Sequence, residues 1–191
     1  MSRIPASTAV RFARALTLSL AAVCCLLCPG MAGAQASACP GAAADADAAS
    51  LGRIARQLLA ATPRDVAGAA ACLEAAFAAG DPGAAVARGQ IALSGSDGPA
   101  DPTLAAAWFF RAAHAGSPQG YLEAGLAMAA GRGVPVDPYW AYWTLGCALR
   151  LPGLSPDQVR VAQQASQQAA AALTPAQRAA LDANLAGKAA P

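Results

Sequence analysis

From residue 80 onward, apolar and small residues fall into blocks of about a dozen positions separated by Gly, Pro and Asp, and these blocks recur. Placing residues 80–115 above residues 116 onward gives a gapless register with an offset of 36, since Gly80 meets Gly116 and Asp101-Pro102 meets Asp137-Pro138. Gly89 meets Gly125, Gly95 meets Gly131, Pro99 meets Pro135, Ala105 meets Ala141, and Ala112 meets Ala148. A worn copy lies one step earlier, where Pro63, Asp65, Ala69 and Ala76 stand 36 residues before Pro99, Asp101, Ala105 and Ala112. A period in the thirties with two helical blocks per unit is the mark of an all-α helical solenoid. Upstream, Leu51, Ile54, Leu58 and Leu59 repeat at helical spacing within 50–61, which predicts a helix that pairs with the one after Asp65.

The punctuation residues carry the local chemistry. Asp101 and Asp137 are predicted N-caps, with carboxylates that accept bonds from unpaired first-turn amides, and the proline after each presets the first helical φ. Gly80 and Gly116 are predicted C-terminal stops. Gly89 and Gly125 fall inside the first helix of each unit, where glycine costs about 1 kcal/mol against alanine, so a close helix approach is the expected compensation. Trp108, Phe109, Phe110 and Trp143 are expected to supply buried area among the many alanines. Past Leu151, Ser155-Pro156-Asp157-Gln158 and Thr174-Pro175-Ala176-Gln177 read as capping boxes, opening helices to about Ala172 and about Ala186. These two helices would close the last apolar face of the solenoid.

The N-terminus changes the reading of charge and compartment. Arg3, Arg11 and Arg14 precede an uncharged stretch from Leu16 to Leu27, then Pro29, Gly30 and two cleavage patterns, Ala32-Gly33-Ala34 and Ala34-Gln35-Ala36. That order predicts a secretory signal peptide over 1–36, its apolar core too short for the roughly 20 residues of a membrane span. The expected domains are therefore this leader, an irregular segment and helix over 37–62, repeats over 63–150 and a cap over 151–187. Removing the three arginines leaves ten Lys and Arg against eleven Asp and Glu, a net of −1. A near-neutral chain without basic clusters has no electrostatic footprint for nucleic acid or for an anionic membrane surface. The expected location is the periplasm, with no stable membrane insertion after cleavage.

Of six cysteines, Cys24, Cys25 and Cys28 leave with the leader, while Cys39, Cys72 and Cys147 remain in an oxidising compartment. Cys39 sits in an irregular segment able to reach back to a helix, so the preferred pairing is Cys39 with Cys72. Chain entropy gives such a bridge ~3 to 4 kcal/mol. Cys147 is then expected to be a buried thiol on an apolar helix face.

The second unit resembles the Sel1-like repeat. The elements that carry the resemblance are Gly125, Gly131-Arg132-Gly133, Val134, Asp137, Ala141 and Ala148. The first unit matches at Gly89, Gly95, Asp101, Ala105, Trp108 and Ala112-Ala113, but has Asp97-Gly98 where the pattern has Gly-Val, and Ala92 where a Tyr is usual. Trp143 comes one residue earlier than Trp108 predicts, leaving Thr144 in its place. The resemblance implies a scaffold or adaptor that binds a protein or peptide. A β-lactam or peptidoglycan-related binder or hydrolase is the alternative that exported cysteine-rich members imply, although this chain lacks their regularly spaced cysteine pairs and any Ser-x-x-Lys nucleophile.

Candidate chemistry is sparse. His114 closes a helix just before Gly116 and reads as a solvated side chain at a helix C-terminus. One histidine and three separated cysteines make no metal cluster, and Gly131-Arg132-Gly133 lacks the preceding strand and third glycine of a dinucleotide loop. No catalytic residue and no cofactor is predicted. Binding candidates come from two places. The first helices of a solenoid line its concave face, which selects Arg88, Gln90, Glu123, Leu126 and Ala127. The run Tyr139, Trp140, Tyr142, Trp143 holds four of the ten aromatic residues. One helix cannot bury rings in all those directions, so Tyr139, Trp140 and Tyr142 are expected to flank the packed face of Ala141, Leu145 and Ala148. There they either meet the terminal helices or anchor a partner.

Overall fold

The computed structural model describes residues 39–43 and 45–187, and the predicted leader over 1–36 lies outside them. These residues form eight helices and no strands: α1 Ala48–Ala60, α2 Val66–Ala78, α3 Pro82–Ser94, α4 Pro102–His114, α5 Pro118–Ala130, α6 Pro138–Arg150, α7 Pro156–Ala171 and α8 Pro175–Gly187. Helices α1 to α7 pack as successive neighbours, with α3 on α5 and α5 on α7 in one layer, and α8 packs on α6. The described residues form an all-α solenoid.

The register of 36 holds at the level of single hydrogen bonds. Helices α2, α4 and α6 begin at 66, 102 and 138, and α3 and α5 begin at 82 and 118. The Asp101 amide donates to Ala92 O at 2.9 Å, and its counterpart Asp137 donates to Met128 O at 3.1 Å. The Asp81 amide donates to Ala76 O, as the Ser117 amide does to Ala112 O, both at 2.9–3.0 Å. Such matching turns arise because an Asp or Ser cap followed by proline opens α3, α4, α5 and α6. Asp65, Asp101 and Asp137 each accept a bond from the amide three residues on, at 2.8, 2.9 and 3.1 Å. Helices α3 and α5 end at Gly95 and Gly131, whose φ of 66° and 68° belongs to the left-handed region that a side chain disfavours.

Glycine inside α3 and α5 has a packing cause. A Cβ on Gly89 would lie 2.5 Å from Phe109 Cε1, and one on Gly125 would lie 2.6 Å from Leu145 Cγ. Each paired helix drives a large apolar side chain into that notch, so alanine there would force α3 from α4 or α5 from α6.

The ends of the solenoid are closed differently. At the C-terminal end, Ser155 and Gln158 cap each other's backbone amides at 3.2 and 2.8 Å. Thr174 and Gln177 do the same for α8. At the other end, a disulfide joins Cys39 to fully buried Cys72 on α2. Cys39, Ala42 and Ala46 pack onto the core around Leu51, Ala55 and Leu73. Cys147 takes no part in a disulfide and is half-buried, whereas the sequence led us to expect a buried thiol; residue 147 lies beside the packed face of Leu145 and Ala148.

Candidate functional site: an aromatic groove between second helices

Helices α4 and α6 barely meet. Between them opens a groove of about 530 Å³, within the range of small-ligand and peptide-anchor pockets. Its α4 wall is Phe110, Ala113 and His114, and its floor is Tyr121 and Met128 of α5. The α6 wall is Trp140, Trp143 and Thr144. On the far side of the same rings, Tyr139, Trp140 and Trp143 form a second cleft of about 290 Å³ with Leu181 and Asn184 of α8. Trp140 therefore stands as a fin between two clefts, 51% exposed and edge-on to both Tyr139 and Trp143 with ring centroids 5.7 Å apart.

The groove has an identifiable origin in the repeat. One unit earlier, Trp108 occupies the place of Thr144; it is buried and edge-on to Phe77 at 5.9 Å. Arg111 stacks over its ring at 4.4 Å. Thr144 is too small to fill the corresponding space. The tryptophan of the second unit sits one residue earlier, and one residue turns a helix by about 100°. That rotation carries Trp143 from the core to the groove wall, where it is half-buried rather than part of the buried core expected from sequence.

The binding candidates read from sequence do not gather in one place. Trp140 lines both clefts and Tyr139 lines the second. The Tyr142 hydroxyl donates to Asp182 Oδ1 at 2.7 Å, tying α6 to α8, and this bond first, then burial, raises its pKa. On the first helices, Arg88 is 9% exposed. Its Nε donates to Glu74 Oε1 at 2.8 Å, and its Nη1 lies 3.2 Å from Asp97 Oδ2. This guanidinium holds α3 to α2 and to the following turn, so the fold itself occupies it. Gln90 is exposed on α3. Glu123 is half-buried, and desolvation raises its pKa against the pull of Arg132. Leu126 packs into the cluster around Leu122 and Leu145, and Ala127 is buried.

Seven of the eight groove residues, among them Phe110, Tyr121, Trp143 and Thr144, were not read as binding positions. The signal that could have found them is the displaced tryptophan. Among the described residues, no group of three or more His, Cys, Asp or Glu could hold a metal ion, and no helix is long and apolar enough to cross a membrane.

No family model matches the sequence, and no curated protein matches it. Among solved structures, the chain is similar to c5321, a protective antigen of uropathogenic Escherichia coli that displays an SLR fold. The identity is 22% and the TM-score 0.50, over 75% of this chain and 33% of that one. This chain thus spans about a third of the antigen's length. A Sel1 repeat protein from Oxalobacter formigenes is similar at 22% identity and a TM-score of 0.47, over 72% of this chain and 89% of that one. The chain has the Sel1-like repeat fold.

Proposed function

We propose that this chain is an exported, periplasmic, non-catalytic Sel1-like protein-interaction module, and that the α4–α6 groove is where it holds its partner. The observation that carries the reading is Trp140, a large aromatic half out in solvent between two clefts, in a chain that buries Trp108 at 7% exposure. Exposed Trp and Tyr over a concave surface are the residues that dominate protein binding energies, because they bring large contact area at low entropic cost. Export is supported by the basic, apolar and small-residue order of 1–36, and an oxidising compartment suits the Cys39–Cys72 bridge.

The test is affinity capture and crosslinking from a periplasmic extract with the chain from residue 37 onward, beside a Trp140→Ala, Trp143→Ala variant matched to it by circular dichroism. A discrete partner held by the first chain and lost by the second is the expected result. Equal capture by both would remove the groove from the function, and no discrete partner for either would remove the interaction role.

A further inference from the structure

Helices α2, α4 and α6 are copies of one position in the repeat, so the surface ahead of each can be compared residue by residue. Positions 68, 104 and 140 are equivalent, as are 72, 108 and 144. Ahead of α2 the described residues hold no preceding second helix, and the chain's own segment takes that place. Cys39 is bonded to Cys72, and Pro40 lies over Gly68, where an added Cβ would come within 3.0 Å of Pro40 Cγ. The segment is a tight turn. The Ala42 amide donates to Cys39 O at 3.3 Å, and Gly41 has a φ of 74°, which with proline at the preceding position gives a type II turn. Ahead of α4 the same space is filled by Trp108. Ahead of α6 neither device is present: Thr144 replaces Trp108, Trp140 stands at the position of Gly68, and the groove is open.

We propose that the α4–α6 groove takes a proline-glycine turn of a partner protein, laid against Trp140 and Thr144 as Pro40 and Cys39 are laid against Gly68 and Cys72. This inference rests on the reading of the groove as an interaction surface and names the chemistry of its occupant. Three properties favour that occupant. Proline is a stiff, apolar ring with little entropy to lose, and aromatic-walled grooves are the surfaces that select it. Trp140 supplies at position 140 the ring surface that Gly68 lacks. The groove lining contains no Asp, Glu, Lys or Arg, so a charged segment would lose its hydration without a counter-charge, whereas an uncharged turn would not.

The experiment gives α6 the thiol that α2 already has. A Thr144→Cys, Cys147→Ala chain is equilibrated in a glutathione redox buffer with the amidated peptide Cys-Pro-Gly-Ala, the sequence of residues 39–42, or with Cys-Ala-Gly-Ala, and the mixed disulfide at position 144 is quantified. We expect at least tenfold stronger capture of the proline peptide, and loss of that preference when Trp140→Ala is added. Equal capture of the two peptides, or a preference that survives Trp140→Ala, overturns the inference. The chain without these substitutions supplies a second readout: its tryptophan emission should shift saturably with the peptide Ser-Ala-Ala-Pro-Gly-Ala-Ala and not with the version carrying alanine for proline. A flat response to both peptides counts against the inference even if the variant misfolds. Sedimentation of the same chain showing a dimer that the Trp140→Ala variant lacks would assign the groove to a second copy and likewise overturn it. If periplasmic capture still depends on Trp140 while no proline preference is found, the interaction reading stands and the inference about its occupant falls.

Discussion

The first and second units share their backbone to the hydrogen bond and part at two places inside it. In the first, Trp108 fills the space between α2 and α4, and Arg88 binds Glu74 and Asp97. In the second, Thr144 leaves the space between α4 and α6 open, and the residues 36 positions after Glu74, Arg88 and Asp97 are Phe110, Ala124 and Gly133. One unit thus has its space filled by a buried indole, whose Nε1 finds no hydrogen-bond partner, and holds a cation paired with two carboxylates. The other keeps Trp140 and Trp143 on the wall of the groove. A repeat protein can do this because each unit needs only its neighbours for stability, so one inter-unit space can be left unfilled while the rest hold the solenoid together.

That contrast predicts a graded series of stability changes, read by urea denaturation of the chain from residue 37 onward. Trp108→Ala should cost about 4 kcal/mol, the range for removing a buried indole, while Trp143→Ala costs about 1 kcal/mol. Similar losses at both positions would mean that the two tryptophans do not differ in burial as described. Removing the disulfide by Cys39→Ala should cost about 3 to 4 kcal/mol, since the cross-link closes a loop with a sequence separation of 33. Arg88→Ala should cost about 2 to 3 kcal/mol. This lies below the usual loss for a broken buried pair, because the Glu74 side chain is 43% exposed and can recover hydration.

The smallest effect is a pH dependence at Glu123. Burial raises its folded-state pKa above the ordinary glutamate value of 4.5, so the folded state favours the protonated form. That contribution to stability is complete below pH 4.5 and is lost as pH rises through the folded value. Glu123→Gln should therefore flatten the stability curve over that window and stabilise the protein at pH 7. An unchanged pH profile in the variant would show that the carboxyl is solvated.

Legibility in the sequence followed the kind of residue involved. Helix ends were readable because Asp, Pro and Gly act on their own backbone: Asp101, Asp137, Ser155 and Thr174 all cap the helices they precede. Gly89 and Gly125 mark close approach by their helical position alone, and Phe109 and Leu145 are the side chains that approach. The groove was harder to see. The one-residue displacement of Trp143 is visible in the alignment of the two units, but its consequence depends on which face of α6 fronts α4. Arg88 shows the same limit, since its partner Glu74 lies 14 residues earlier on another helix and no local pattern links them. A long cation on a first helix looks the same in sequence whether it waits for a ligand or is already paired.

On the proposed function, the space that Thr144 leaves unfilled is the groove that binds. Copying the first unit into the second with Trp143→Ala and Thr144→Trp tests it most directly, by capture from a periplasmic extract together with denaturation. The expected outcome is a chain at least as stable as the parent, its groove filled by the new indole, that no longer holds the partner. Undiminished capture by a stably folded variant would contradict it.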